Sequence, residues 1–288
     1  MSAQIRKRKK TFVLIIPRFE DILSSFYAGE IIRGVCLAAS RLNIDILIHT
    51  TDRSDHRNWL DSSLLDRTYV DGIVFADIDN DINLVKKVIS YGMPCMVLNN
   101  ILHIPVNYIA VDNKKAAVEV MQHFIDLGHR KIATIAGDLT TQAGQARLEG
   151  YEEAMQGNGI KISNDYITRG DFLRTPARVA AEKLLKLKDR PTAIFAASDV
   201  MALEVLDVAK SQRIRVPDDL SVVGFDDNPL NATSSVKLST VAQPLCEMGR
   251  LGLETLYQVC NGKVKLPVKI VLATKFIKGK STQKILIN

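Results

Sequence analysis

Acidic and hydroxyl side chains stand directly after several apolar runs of this 288-residue sequence. They are Asp112, Ser198, Asp199 and Asp226. A carboxylate accepts hydrogen bonds from two neighbouring hydroxyl groups, and a charged acceptor makes these bonds stronger than a neutral one does. Asp226, directly after the run 221–225, is placed for this role. Asp226 therefore suits a ligand rich in hydroxyl groups.

The same residues have structural explanations that stay open at this stage. Asp112 and Asp199 begin predicted helices, where an aspartate side chain caps backbone N–H groups. Asp227, within an Asp-Asp-Asn-Pro stretch, is typical of a turn. The aromatic pair Phe26 and Tyr27 begins the first predicted helix and suits either core packing or stacking on a ligand.

Short β-branched runs alternate with amphipathic helical patterns along the chain. The predicted strands are residues 12–16, 45–49, 72–76, 95–98, 108–111, 131–136, 166–168, 193–197 and 221–225. Apolar strands separated by helices indicate an α/β fold with parallel sheets covered on both faces. The connection 99–107 is too short for a crossover helix, which favours two doubly wound lobes over a TIM barrel. Ligands bind beyond the carboxyl ends of such strands, so we expect a cleft between the lobes.

The net charge of +6 comes almost entirely from the run Arg6–Lys10. Without its five cations, 33 of the 38 Lys and Arg residues remain against 32 Asp and Glu residues. A nearly neutral body is not a nucleic-acid surface, because phosphate binding needs clustered cations on a folded face. We expect residues 1–10 to be a disordered basic tail.

Four cysteines without CxxC spacing stand among apolar neighbours, which predicts buried, reduced thiols and a cytoplasmic protein. They are Cys36, Cys95, Cys246 and Cys260. The apolar run that ends before Pro17 is too short for a signal peptide, and no run is long enough to span a membrane. We predict neither a cofactor nor a metal ion.

No pattern of catalytic residues is present: the sequence has no glycine-rich phosphate loop and no G-x-S-x-G. Two carboxylates facing one cleft would suit a glycosidase. That alternative is disfavoured because nothing in the sequence marks one acid as buried among apolar residues, and ligand hydroxyls account for both. We therefore expect a binding protein and not an enzyme.

Two long segments resemble the LacI/GalR family of bacterial transcription regulators. They are residues 191–227 (PTAIFAASDVMALEVLDVAKSQRIRVPDDLSVVGFDD) and residues 108–137 (YIAVDNKKAAVEVMQHFIDLGHRKIATIAG). Shorter matches are 70–74 (VDGIV), 147–151 (RLEGY) and 239–243 (STVAQ). Because these matches keep the family's order and spacing over nearly all of residues 11–280, the chain is identified as a member.

The resemblance implies a set of effector-binding residues. Arg147 matches the arginine of the family's R-x-x-G-Y/F element, whose planar fork donates to a ligand oxygen. Phe172 matches an aromatic residue that stacks on the ligand. Asp112 and Gln243 match positions near the ligand, and Ser198 with Asp199 stands where relatives often have Asn-Asp. The alternative for Arg147 is a surface ion pair with Glu149 or Glu153.

The resemblance also implies the domain plan and the function. We expect an N-terminal lobe of residues 11–127 and 242–270 and a C-terminal lobe of residues 128–241 and 271–288, both periplasmic-binding-protein-like. The implied function is to sense a small, sugar-like effector, to form a homodimer and to control operator binding allosterically, as a repressor. DNA recognition would need an N-terminal helix-turn-helix headpiece that is absent here.

Two departures from the family pattern bear on the effector. Residues 140–145 lack the additional basic residue of purine-sensing relatives, which disfavours a charged nucleobase. The loop 18–25 is longer than usual, so the effector's identity is not predicted. The alternative function is a sugar-binding protein of transport or chemosensing, which the free cysteines and the missing export signal disfavour.

Overall fold

The computed structural model describes residues 8–17, 25–51, 65–78 and 81–285. The chain forms two compact units. Unit 1 comprises Met1–Val111 and Pro244–Leu272, and unit 2 comprises Asp112–Gln243 and Ala273–Asn288. The chain therefore passes from one unit to the other at three points. We call these the chain crossings: Val111–Asp112, Gln243–Pro244 and Leu272–Ala273.

Unit 1 is built on a parallel six-stranded sheet with strand order β11-β5-β4-β3-β1-β2. Its elements are β1 (Thr11–Pro17), α1 (Phe26–Leu42), β2 (Asp45–Thr51), β3 (Gly72–Phe75), α2 (Ile82–Ser90), β4 (Cys95–Leu98), β5 (Asn107–Val111), α7 (Leu245–Cys260) and β11 (Lys269–Leu272).

Unit 2 is built on a parallel four-stranded sheet with strand order β7-β6-β8-β9, beside an antiparallel pair of β10 and β12. Its elements are α3 (Asn113–Asp126), β6 (Ile132–Ala136), α4 (Gln142–Gly157), β7 (Ile167–Arg169), α5 (Arg174–Leu185), β8 (Ala193–Ala196), α6 (Asp199–Ser211), β9 (Ser221–Val223), β10 (Thr240–Ala242) and β12 (Lys275–Ile277).

Both sheets are buried on two faces because successive residues of their central strands, which point to opposite faces, are mostly apolar. In β1, Leu14 packs towards α1 and α7, whereas Val13 packs towards α2. In β8, Ile194 joins the core formed with α5 and α6, and Phe195 joins the core formed with α3 and α4. The expected architecture of two doubly wound α/β units is confirmed.

The first chain crossing differs in position from the predicted lobe boundary at residue 127. Helix α3 belongs to unit 2 because its apolar face packs with α4 in a common core. The other two crossings lie within two residues of the predicted ones.

Part of the predicted disordered tail is ordered against unit 1. Arg8 forms an ion pair with Asp71 at 3.0 Å, and Lys10 donates to Asn261 Oδ1 at 2.8 Å. The tail prediction therefore fails for residues 8–10, because these side chains find partners on unit 1. Residues 1–7 lie outside the described part of the chain.

All four cysteines are free thiols, but they are not uniformly buried: Cys95 is buried and Cys36 is exposed. The prediction for Cys36 is wrong because this residue lies on the outer face of α1. None of the described helices is both long and apolar enough to cross a bilayer.

Candidate functional site

Arg147, the one cation among the site residues predicted from sequence, is buried, with 3% of its surface exposed. It lies on the inner face of α4. Its Nε donates to Asn113 Oδ1 at 2.9 Å, and its Nη1 donates to the Ala197 carbonyl at 2.5 Å. The guanidinium carbon lies 3.7 Å from the centre of the Phe225 ring. The alternative of a surface pair with Glu149 or Glu153 is wrong, because α4 turns Arg147 inwards.

Asp226 stands at the carboxyl end of the parallel sheet of unit 2, beyond β9. Its Oδ1 lies 3.8 Å from Arg147 Nη1 and accepts from Gln243 Nε2 at 2.7 Å. The backbone adopts a φ of 120°, which L-residues rarely adopt. The surrounding structure holds this conformation, since the Asp226 N–H donates to the Val241 carbonyl at 2.8 Å. With 16% of the side chain exposed, one acidic and one basic group meet at an accessible strand end.

Burial raises the pKa of the Asp226 carboxyl to about 7, although Arg147 and the Gln243 hydrogen bond act in the opposite direction. One acid of the site is therefore desolvated, which corrects the reason given above against a glycosidase. Asp199, the acid that follows β8, accepts its hydrogen bonds from the protein itself.

Asp199 is completely buried and holds the loop after β9 in place. Its Oδ2 accepts from the Asn228 N–H and from Asn231 Nδ2, both at 2.7 Å, and its Oδ1 accepts from Thr240 Oγ1 at 2.6 Å. The capping role expected for Asp199 falls to Ser198, whose hydroxyl accepts from the Met201 N–H at 3.3 Å. The observed contacts of Ser198 and Asp199 are therefore structural: Ser198 caps α6, and Asp199 holds the loop after β9.

Two further predicted residues lie next to chain crossings. Asp112 caps α3 by accepting from the Lys115 N–H at 2.9 Å, in agreement with the structural explanation offered for it. Gln243 contacts Asp226, as described above. Its Oε1 is buried and has no hydrogen-bond partner among the described residues. An unpaired buried acceptor is costly, so Gln243 belongs to the part of the site that is incompletely satisfied.

Phe172 follows β7 and brings an aromatic ring close to Arg147. The ring centre lies 5.7 Å from the guanidinium carbon. The backbone of Phe172 has a φ of 62°, and its ring occupies the space above Gly137, where an added Cβ would come within 2.0 Å of it. Glycine at 137 is therefore required for the ring to reach this position.

The other two predicted residues belong to unit 1. Phe26 and Tyr27 begin α1 and pack partly against its core, in line with the simpler of the two interpretations. The Tyr27 hydroxyl donates to the Ala76 carbonyl. Most of the loop 18–25, which departs from the family pattern, lies outside the described residues.

Sequence reasoning missed buried polar residues in each unit. Asn113, the partner of Arg147, was not predicted because it follows Asp112, whose position already suggested a helix cap. Asn99 and Asn100 follow β4 in unit 1, and both are buried. Asn99 Oδ1 and Asn100 Nδ2 find no hydrogen-bond partner within the described chain. The rule applied to other strand ends would have identified this pair.

Comparison with known proteins places the chain in a family. The profile of the periplasmic binding protein-like domain matches residues 121–282. The HTH-type transcriptional regulator DegA of Bacillus subtilis (strain 168) is 33% identical over 280 residues, which are 96% of this chain and 82% of DegA.

Solved structures of regulators share the fold. The structure of a complex of the transcriptional regulator CelR with cellobiose has a TM-score of 0.87 at 30% identity, and covers 96% of this chain and 85% of that chain. The lac repressor dimer bound to operator has a TM-score of 0.86 at 22% identity, with 96% of each chain covered. With a fold and extended sequence identity in common with these regulators, the chain belongs to the LacI/GalR family and forms its effector-binding core.

Proposed function

We propose that this core senses a sugar or sugar derivative and thereby controls DNA binding by a transcription regulator. The observation that carries the proposal is the Arg147–Asp226 pair at the carboxyl end of the sheet of unit 2. A carboxylate and a guanidinium at 3.8 Å offer acceptors and donors together, as a ligand with several hydroxyl groups requires.

Phe172 supports the same ligand class. Phe172 presents an aromatic ring 5.7 Å from the Arg147 guanidinium, and such a ring packs against the apolar face of a sugar. CelR, one of the similar regulators, was solved with cellobiose.

The family relationship supports the rest of the function. DegA is a transcriptional regulator of the helix-turn-helix type, and no catalytic role is proposed for this chain. We expect a cytoplasmic homodimer that acts as a repressor and contacts operator DNA through a helix-turn-helix headpiece. The alternative of a solute-binding protein shares the fold but has less support, because the similar proteins named above are regulators.

A thermal-shift screen against neutral sugars, sugar phosphates and nucleosides tests the ligand class, since specific binding raises the melting temperature. We expect a neutral mono- or disaccharide to give the largest shift. A nucleoside or a sugar phosphate giving the largest shift would contradict the proposal.

Calorimetric titration with the best saccharide then tests the two residues. Asp226→Asn and Arg147→Ala should each weaken binding by about 2–4 kcal/mol, as expected when a buried charged partner is lost. Asparagine is chosen because it tolerates a positive φ better than alanine does. Asp165→Asn, at an exposed acid of unit 2, is the control and should bind like the wild type. Unchanged affinity in both test variants would remove them from the site.

A further inference from the structure

Asn113 lies at a place where the chain enters unit 2. It is the first residue of α3 and follows the chain crossing Val111–Asp112 directly. The Asp112 side chain caps the helix and so fixes the direction in which α3 begins. The Asn113 side chain is buried, with 4% of the residue exposed. Its position is therefore determined by both the helix start and the crossing.

The contact between Asn113 and Arg147 determines how the guanidinium is oriented. Nε carries a single hydrogen, and this hydrogen points to Asn113 Oδ1 at a distance of 2.9 Å. The Phe225 ring packs against the face of the guanidinium. The ring fixes the plane of the guanidinium, and the bond from Nε acts together with the bond from Nη1 to the Ala197 carbonyl to fix its rotation within that plane. Removal of the amide would leave a buried donor without this acceptor.

A glycine in α4 makes this contact possible. Gly150 follows Arg147 by three residues, so it lies on the same face of the helix. A Cβ added at Gly150 would come within 2.5 Å of the Lys114 carbonyl and 2.7 Å of Ala117 Cβ. Only glycine therefore lets α3 and α4 approach closely enough for Asn113 to reach Arg147.

A second chain crossing has the same arrangement. Gln243 directly precedes the crossing Gln243–Pro244, and its amide donates to Asp226 Oδ1 at 2.7 Å. Each member of the Arg147–Asp226 pair is thus held by an amide side chain that adjoins a crossing. An amide orients a charged group without neutralising it, whereas a second carboxylate beside Arg147, in addition to Asp226, would compete with the ligand for the guanidinium.

We infer that Asn113 is a positioning residue: it orients the Arg147 guanidinium for the effector and links it to the first chain crossing without touching the effector. This inference rests on the proposed function for its biological meaning. The contact between Asn113 and Arg147 exists in the protein without its effector, so it can be tested without a ligand.

The test follows the Arg147 Nε–H signal in a ¹H–¹⁵N spectrum of the full chain, assigned by its loss in Arg147→Lys. In the wild type this proton exchanges slowly with water, because it is buried and hydrogen-bonded. In Asn113→Ala we expect exchange to be about 10-fold faster, as the loss of one net hydrogen bond predicts. A signal at the wild-type position with the wild-type exchange rate would overturn the inference.

Two further variants keep the test decisive if Asn113→Ala does not fold. Asn113→Asp retains the acceptor and charges it, so the signal should move downfield and exchange more slowly than in the wild type. Gly150→Ala leaves Asn113 intact but separates the helices, and should behave like Asn113→Ala. An unchanged signal in both variants also contradicts the inference.

The matched control is Asn107→Ala, which removes a buried amide from unit 1. Asn107 donates to the Cys95 carbonyl and accepts from the Val268 N–H, so its loss lowers stability without reaching Arg147. The Arg147 signal should stay in place in this variant. If it moved as in Asn113→Ala, the effect would be general loosening, and the inference would be wrong.

Titration with the best saccharide completes the experiment. Asn113→Ala should bind it about 10-fold more weakly, because the guanidinium loses its fixed orientation. If the Nε–H signal changes as expected but the affinity does not, the positioning contact exists and the proposed function fails. If Arg147→Ala weakens binding but Asn113→Ala changes neither readout, the proposed function stands and the inference fails.

Discussion

The two ends of the parallel sheet in unit 2 both bury polar side chains, but they do so in opposite ways. At the amino end, His129 Nδ1 contacts Thr192 Oγ1 at 2.9 Å, and Nε2 contacts Ser221 Oγ at 3.1 Å and the Gln283 carbonyl at 3.2 Å. Burial lowers the pKa of His129, so the ring is neutral at pH 7. Every polar atom of the ring has a partner.

The carboxyl end instead brings two charged groups together beside a buried amide. Arg147 and Asp226 are 3.8 Å apart, and Gln243 Oε1 has no partner among the described residues. Neutral groups with every partner in place stabilise the fold, whereas a buried charged pair and an unpaired amide oxygen cost stability. The difference supports the proposal that the carboxyl end of the sheet binds the effector, while the amino end stabilises the fold.

The largest expected effect is the loss of stability when the hydrogen bonds at the amino end of the sheet are removed. His129→Leu removes the ring contacts and leaves buried hydroxyl and carbonyl groups unpaired, so the free energy of unfolding should fall by about 2–4 kcal/mol in urea denaturation. Saccharide affinity at 25 °C should stay unchanged. His103→Leu, at an exposed histidine of unit 1, is the control. A loss of affinity in folded His129→Leu would show that the two ends are not separate.

A second variant tests whether Asp199 belongs with the stabilising groups despite its place at the carboxyl end. Asp199→Ala removes an acceptor of three hydrogen bonds and leaves the buried Asn228 N–H unpaired, which should cost about 1–3 kcal/mol. The measurement is again urea denaturation, with Asp165→Asn as control. Wild-type stability would mean that Asp199 is free to serve the ligand.

Asp226, unlike Asp199, should lower the stability of the protein at high pH. Its pKa is about 7 in the folded protein and 3.8 in the unfolded chain, so stability is highest at low pH and is lost as the pH rises through 7. Asp226→Asn stays neutral and should melt about 2–4 °C above the wild type at pH 8, with a smaller gap at pH 5 that closes only as the pH falls to about 4. Equal melting temperatures at both pH values would contradict a desolvated carboxylate.

The smallest effect is the pH response of the amino end. Because burial lowers the pKa of His129 below 6.5, its contribution to stability is present above pH 6.5 and is lost as the pH falls. In an Asp226→Asn background, stability should drop by less than about 1 kcal/mol between pH 7.5 and 5.5. Adding His129→Gln should flatten this slope, and an unchanged slope would assign the effect to another group.

The fold was largely predictable from sequence because its strands are short apolar runs. Each of the nine predicted strands has a counterpart in the structure. The missed strands are β10, β11 and β12, which are only three or four residues long and half-exposed or polar in part. Their pairing depends on partners far away in the chain, so local patterns do not indicate them.

Of the candidate site, only the charged pair of Arg147 and Asp226 could be predicted from the sequence. Arg147 and Asp226 were identified by family resemblance and by position after a strand, and they lie together. Asp199 holds the loop after β9 through hydrogen bonds from Thr240, Asn228 and Asn231. Only the tertiary structure brings these residues to Asp199. Asn113 likewise reaches Arg147 because α3 and α4 approach closely at Gly150, a contact between helices that no periodicity reveals.

A crystal structure of the chain with its best-binding saccharide would test the central claim most directly. We predict that two neighbouring hydroxyl groups of the sugar donate to the Asp226 carboxylate and that Arg147 donates to a sugar oxygen, each within hydrogen-bond distance. A saccharide bound elsewhere, with Asp226 and Arg147 contacting only protein, would contradict the account.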